Sequence, residues 1–269
     1  MSTKMLNRSD AQVRVYHDAG EVALKAARHF ARLADQYVLG CGRFTVALSG
    51  GSTPRAMFAR LAEAPFIDTV PWESIYFFWG DERTVPPDHS DSNYRMAWET
   101  LLSRVPTPAE NIFRIPAELP DPQRAADQYA ATLINFFTKQ ATPSGTAPLA
   151  GVPRFDLIFL GMGPDGHPAS LVPGTTALHV TDKIAVANYV EKFQTYRITL
   201  TAPVINNARN VTFVVAGADK AEALHEVLEG AYQPELYPSQ LVHPQQGSLL
   251  WMVDEAAAAQ LTQPHENEK

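Results

Sequence analysis

Three segments of this 269-residue chain gather the residue types that carry out chemistry. The first is Ser49-Gly50-Gly51-Ser52-Thr53-Pro54, followed by Met57, Phe58 and Leu61 at helical spacing. Glycines permit a tight turn and close approach of the backbone. Ser or Thr can cap the helix, and Pro54 suits its first turn. The N–H groups and dipole of such a helix would face an anion such as phosphate. The plain alternative is a capped strand-to-helix turn. The second segment is Gly80-Asp81-Glu82-Arg83-Thr84-Val85-Pro86, with Ser92-Asn93-Tyr94 opening the next helix. Its three charges stand where an active site would be, or form a solvated loop with a local ion pair. The third runs from Gly161 through Met162-Gly163-Pro164-Asp165-Gly166-His167-Pro168 to Leu171. There Asp165 could orient His167 as a general base. Of eight histidines, only His167 lies in a glycine-rich loop behind an apolar run, unlike His17 or His265. Two cations complete the set. Arg197 lies in a candidate strand, where an ordinary strand cation is the plain reading. Lys220 stands at a helix start, where the dipole disfavours a positive charge, so it invites a functional explanation.

Each segment follows a short apolar run: Phe44–Leu48, Ile75–Trp79 and Phe155–Leu160. Ile184–Ala187, Tyr196–Leu200, Val211–Val215 and Leu249–Met252 are further candidates. Near-continuous apolar runs mark strands covered on both faces, which predicts a largely parallel sheet. Helical periods lie between them. Ala23, Ala27, Phe30, Ala34 and Val38 mark one face; Tyr94, Trp98, Leu101 and Val105 a second; Ala126, Tyr129, Leu133 and Phe136 a third, behind Asp121-Pro122. Asp219 with Glu222 predicts a capping box for a helix carrying Ala221, Leu224 and Leu228. The alternation predicts one doubly wound α/β domain over residues 1–269. In such sheets ligands bind beyond the carboxyl ends of the strands, where all three segments fall. Ala141–Pro153 is expected to be an exposed loop, and the polar tail from Thr262 to fray.

Composition narrows the function. A net charge of −7 argues against nucleic acid but allows a small anionic substrate held by a few placed cations. No apolar run approaches the roughly 18–20 residues of a membrane helix. The polar stretch Met1–Asp10 predicts no secretory signal. Cys41 is the sole cysteine, so no internal disulfide can form, and a reducing, cytoplasmic setting is expected. No HxxxH pair or second cysteine predicts a metal site. There is no Walker loop, dinucleotide GxGxxG or GxSxG elbow, so ATP, NAD and a serine nucleophile lack support.

Taken in order, the segments resemble the 6-phosphogluconolactonase family across roughly Val13 to Ala259. The resemblance is carried by Leu48-Ser49-Gly50-Gly51-Ser52-Thr53-Pro54, by Trp79 to Pro86 with Asp91-Ser92-Asn93-Tyr94, and by Leu160 to His167 with Ala169-Ser170-Leu171 and Pro173-Gly174. Arg197-Ile198-Thr199-Leu200-Thr201, Pro238-Ser239 and Trp251 complete it. The resemblance implies a three-layer α/β/α, Rossmann-like fold shared with glucosamine-6-phosphate deaminases. It implies hydrolysis of 6-phospho-glucono-1,5-lactone to 6-phosphogluconate in the oxidative pentose phosphate pathway, without metal or organic cofactor. It makes His167 the base on water, with Asp165 beside it. Gly50, Gly51, Ser52, Thr53, Arg197 and Lys220 would hold the phosphate. Arg83 would lie near the lactone, and Asp81 among the substrate-binding residues. The only partner implied is a phosphosugar lactone, to a monomer or weak dimer. Two positions depart from the family pattern: Pro168 replaces the usual Thr after the histidine, and Val172 the usual Phe before Pro-Gly. Pro168 has no N–H to donate, and would be tolerated as the first residue of a helix. A deaminase or isomerase of the same fold is the nearest alternative, yet Pro168 to Val172 offers no acid for it. A non-catalytic sugar-phosphate sensor is the other.

Overall fold

The computed structural model describes residues 11–139, 151–262 and 266–267. Most of the expected 141–153 loop, Met1–Asp10, His265 and most of the polar tail lie outside the described residues. In chain order the strands are β1 (Ala11–Tyr16), β2 (Phe44–Leu48), β3 (Ile75–Trp79), β4 (Asp81–Arg83), β5 (Leu157–Leu160), β6 (Ala185–Val190), β7 (Thr195–Leu200), β8 (Asn210–Val215), β9 (Ser248–Asp254) and β10 (Glu266–Asn267). The helices are α1 (Ala19–Cys41), α2 (Ser52–Leu61), α3 (Phe66–Thr69), α4 (Asn93–Ala97), α5 (Pro122–Lys139), α6 (Ala202–Asn206) and α7 (Ala221–Leu228).

The main sheet has the order β10-β1-β9-β8-β5-β2-β3, and every pairing in it is parallel. Every residue of β2 and β5 is buried, as expected of strands covered on both faces. The pleat explains how adjacent phenylalanines serve opposite layers. Phe77 stacks with Phe30 of α1, which also meets Phe44 and Phe159. Its neighbour Phe78 packs on Phe113 and on Phe136 and Phe137 of α5. One sheet between two helical faces gives the three-layer α/β/α architecture.

Gly80 is where the chain leaves this sheet. Its N–H donates to Leu48 O at 2.9 Å, and its carbonyl accepts from Leu200 N at 2.9 Å. The next residues enter a second, antiparallel sheet of order β4-β7-β6. Asp81–Arg83, expected as a loop, is therefore a strand. β1 was not anticipated either, because Gln12 and Arg14 interrupt its apolar residues and it lies only partly buried near the sheet edge.

Helix starts need three corrections. α2 begins at Ser52 with Gly51 at its cap position, so neither Ser52 nor Thr53 caps it. The Asp219–Glu222 box does not form. A 3₁₀ turn, Ala218–Lys220, precedes α7, and Asp219 pairs with Lys220 Nζ at 2.9 Å. No helix begins at Pro168; a turn closes there instead, Leu171 N donating to Pro168 O at 3.0 Å. The other expected starts hold: Asp121 accepts from Gln123 N and Arg124 N, and Ser92 accepts from Arg95 N. The helix expected to reach Val105 ends as α at Ala97 and continues as a π-helical turn, Trp98–Leu102.

His29 of α1 supplies a pH test of the core. Arg32 has only donors, so its Nη2 contact at 3.2 Å makes His29 Nδ1 the acceptor, and Nε2–H faces Thr212 Oγ1 at 3.2 Å. Burial, with Arg32 and Arg14 adding to it, lowers this imidazole from 6.5 to about 4. Between those values the unfolded chain binds a proton that the folded chain does not. Stability is therefore lost as pH falls through that window, by on the order of 3 kcal/mol. Urea unfolding of wild type and His29→Gln at pH 7.0 and 4.5 (about the two ends of that window) should show the smaller pH effect in the variant. Equal pH effects would remove His29 from the account.

Candidate active site

The three segments converge on a cavity of about 190 Å³. It opens beyond the carboxyl ends of β2, β5 and β8, with Gly161 and Ala216 among its walls. Gly50, Gly51, Ser52 and Thr53 line it from the β2–α2 turn. Asp81 and Arg83 line it from β4, Arg197 from β7, and Lys220 from the turn before α7. His167 lines it from the β5 loop, and Asp165 stands behind the imidazole.

The loop after β5 is shaped around that pair. His167 Nδ1 and Asp165 Oδ1 share a short hydrogen bond. An ionised carboxylate only accepts, so Nδ1 carries the hydrogen and the Nε2 lone pair is left available. Burial alone would raise the Asp165 carboxyl. The hydrogen bond and charge of His167, with Lys192 nearby, outweigh it and hold the group well below the usual carboxylate range. Gly163 makes room for the pair: a Cβ there would lie 2.2 Å from His167 Nδ1 and 2.6 Å from Asp165 Oδ1. Gly163 N also donates to His167 O at 2.9 Å, closing the loop.

Charges in β4 follow the strand period. Asp81 and Arg83 face the cavity, while Glu82 points the other way and is buried. Glu82 collects Arg83 N at 2.9 Å, Asn93 N at 2.7 Å, Tyr94 N at 2.8 Å and Ser92 Oγ at 3.0 Å. Burial raises its carboxyl, and the three backbone donors oppose that. Asn93, thus fixed, packs its amide against Gly50, where a Cβ would come within 1.9 Å of Oδ1. No salt bridge joins Arg83 to Asp81 or Glu82. The guanidinium Nη1 donates to Asp91 O at 2.5 Å instead, which overturns the local ion pair considered for this segment.

Arg83 and Arg197 are register partners across β4 and β7, and the Nε of each is buried without an acceptor. Burial lowers the Arg197 guanidinium, which Asp81 partly offsets. Its Cζ lies over the Phe193 ring, 4.6 Å from the ring centre.

Pro168 is accommodated by the next two residues. Ala169 takes a left-handed φ of 47° and lines the cavity. Ser170 is held on three sides: its Oγ donates to Asp81 Oδ2 at 2.6 Å, its N–H to Thr199 Oγ1 at 3.3 Å, and its carbonyl accepts from Asn188 at 2.9 Å. Asn93, read as part of a helix start and of the family resemblance but given no role, lines the cavity, and Lys192, which was not singled out, reaches Asp165. Lys192 sits on a hairpin between two strand runs, and only the pairing of β6 with β7 reveals where its side chain reaches. Among the described residues no group of three or more His, Cys, Asp or Glu side chains is arranged to hold a metal ion. No described helix is long and apolar enough to cross a membrane.

A parallel sheet with its polar residues gathered beyond the strand ends places the chain among the α/β enzymes. The family model described as glucosamine-6-phosphate isomerases/6-phosphogluconolactonase matches residues 17–251. A 6-phosphogluconolactonase of a Nostoc species is 46% identical over 222 residues, covering 82% of this chain and 86% of that one. The solved 6-phosphogluconolactonase of Trypanosoma brucei superposes with a TM-score of 0.81 at 27% identity, covering 94% of this chain and 99% of that one. A monomeric glucosamine-6-phosphate deaminase, 17% identical, shares the fold with a TM-score of 0.76, covering 93% of this chain and 99% of that one. The chain belongs to the 6-phosphogluconolactonase family.

Gly163→Ala tests the loop. The added methyl would clash with both the imidazole and the carboxylate, so the pair must shift. The Asp165–His167 hydrogen bond should be lost while the melting temperature changes little. Ring proton NMR checks this: an unaltered downfield Nδ1–H signal would contradict the described packing.

Proposed function

We propose that this chain hydrolyses 6-phospho-glucono-1,5-lactone to 6-phosphogluconate, the lactonase step of the oxidative pentose phosphate pathway. The observation that carries the reading is the pair of facing arginines, Arg83 and Arg197. Like charges directly opposite one another across a sheet are destabilising. Here both guanidiniums line one cavity with an Nε lacking any acceptor, beside Lys220 and the α2 N-terminus. Arg197, Lys220 and a set of helix N–H groups suit a phosphate dianion, and Arg83 on the same cavity is left for charge developing at the lactone. The cytoplasmic setting expected from the lone cysteine goes with this reading; rice and Arabidopsis relatives are named chloroplastic.

A lactone is an activated ester, so the protein has two tasks. The first is to hold the phosphate at Gly50–Thr53, Arg197 and Lys220, which fixes the carbonyl relative to the base. The second is proton transfer. Neutral His167 takes a proton from water at Nε2 while Asp165 keeps the Nδ1–H tautomer and stabilises the imidazolium. The resulting hydroxide adds to C1, and Arg83 offers positive charge to the oxyanion. The tetrahedral intermediate then collapses, breaking the bond from C1 to the ring oxygen. The proton returns from His167 to the departing C5 oxygen, and the carboxylate product leaves with one net proton released.

Proton release from freshly made lactone, corrected for spontaneous hydrolysis, tests the activity. His167→Asn should lose roughly 10²–10⁴-fold in kcat. Arg197→Ala and Lys220→Ala should mainly raise KM. Wild-type kcat in His167→Asn, or equal turnover of unphosphorylated gluconolactone by the wild type, would sink the respective assignments.

A further inference from the structure

The hairpin joining β6 to β7 turns two side chains onto the site. Its tip is Glu191–Phe193, and Gln194 closes it in the left-handed region at φ 51°. Phe193 lies under Arg197. Lys192 reaches the opposite wall, where its Nζ stands 3.5 Å from Asp165 Oδ2. The other oxygen of that carboxylate, Oδ1, is the one bonded to His167. One carboxylate is thus shared between an imidazole and an ammonium from a separate element.

An ionised Asp165 has two effects on a histidine base. It fixes the Nδ1–H tautomer, which catalysis needs. It also stabilises the protonated ring, which removes the base from use as pH falls. A cation on the outer oxygen weakens the second effect and leaves the first intact. We propose that Lys192 is a positioning residue for the reaction. Its ammonium anchors the outer oxygen of Asp165, so that the inner oxygen holds His167 in the Nδ1–H tautomer while the carboxylate stabilises the protonated ring less. This rests on the reading of His167 as the base.

Other charged groups near the ring are Asp81 and Arg83 from β4, Arg197 from β7 and Lys220 before α7, all lining the same cavity. Tyr237 packs on Gly166 of the loop. Lys192 Nζ also lies 5.6 Å from the Phe193 ring centre, and Arg197 rests on that ring, so the Arg variant, which keeps a cation there, is the control. Lys192 is more than half exposed, which limits the effect through solvent screening.

The test compares wild type, Lys192→Gln and Lys192→Arg as full chains. kcat/KM for the lactone is followed against pH, and the His167 ring resonances are titrated in the same preparations. In Lys192→Gln the acid limb and the ring titration should both move to higher pH by about half a unit. Lys192→Arg should restore the wild-type position, and melting temperatures should agree. Roughly 1 M salt should move the wild type toward the Gln variant, because it screens an exposed charge. Coincident ring titrations in wild type and Lys192→Gln would overturn the proposal. If the wild type proves inactive on the lactone, the function proposed above fails, yet the ring titration still decides whether Lys192 acts on the Asp165–His167 pair.

Discussion

The site depends on one buried carboxylate that never faces the cavity. Glu82 is 3% exposed and accepts from three backbone N–H groups and the Ser92 hydroxyl. A carboxylate that deep is costly unless its oxygens are filled, and four donors fill them. The geometry this enforces reaches far. The start of α4 is pinned to β4, which sets Asn93 against Gly50 and brings Asp91 O to the Arg83 guanidinium. The β2–α2 turn, β4 and α4 are three separate pieces of chain, and their mutual placement passes through Glu82.

A second buried network does the same for the loop after β5. Asp81, Asn188 and Thr199 each take one polar group of Ser170. All four residues are buried. Non-glycine residues at positive φ cost of order 1–3 kcal/mol and persist only where their surroundings over-determine them. Ala169, at φ 47°, is flanked by that network on one side and by Pro168 on the other. The fixed φ of proline and the triple hold on Ser170 bracket the strained residue. Loss of the usual threonine after the histidine thus leaves the loop defined by other contacts, with His167 still bonded to Asp165.

What the sequence revealed, and what it hid, follows from the range of the interactions involved. β2 and β3 were legible to the residue because each is a run of five largely apolar residues between layers of helices. The three segments behind β2, β3 and β5 were legible as the place of a site because glycine, proline and charge cluster where a parallel sheet ends. β4 was not. Three consecutive charges carry no apolar signal, and their strand character comes from pairing with Thr199, Ile198 and Arg197 far along the chain. Lys192 was hidden for the same reason. The Asp219–Glu222 pattern misled in the opposite direction: a local capping signal lost to the contact between Asp219 and Lys220, which sits at the cavity.

The strand character of β4 also settles how an acidic protein can present a cationic site. In a loop, Asp81, Glu82 and Arg83 could neutralise one another. In a strand the two-residue period sends Glu82 away from the cavity and leaves Arg83 beside Arg197. Asp81 shares their face, but the Ser170 hydroxyl occupies one of its oxygens and the Asn93 amide contacts the other at 3.3 Å. The acids therefore spend their hydrogen-bonding capacity on positioning, while the Nε of each guanidinium is left without an acceptor. A net charge of −7 spread over the chain is screened within about 10 Å at ordinary ionic strength. Inside the cavity, the local excess of cations is the field a ligand meets, and it selects an anion regardless of the sign of the whole.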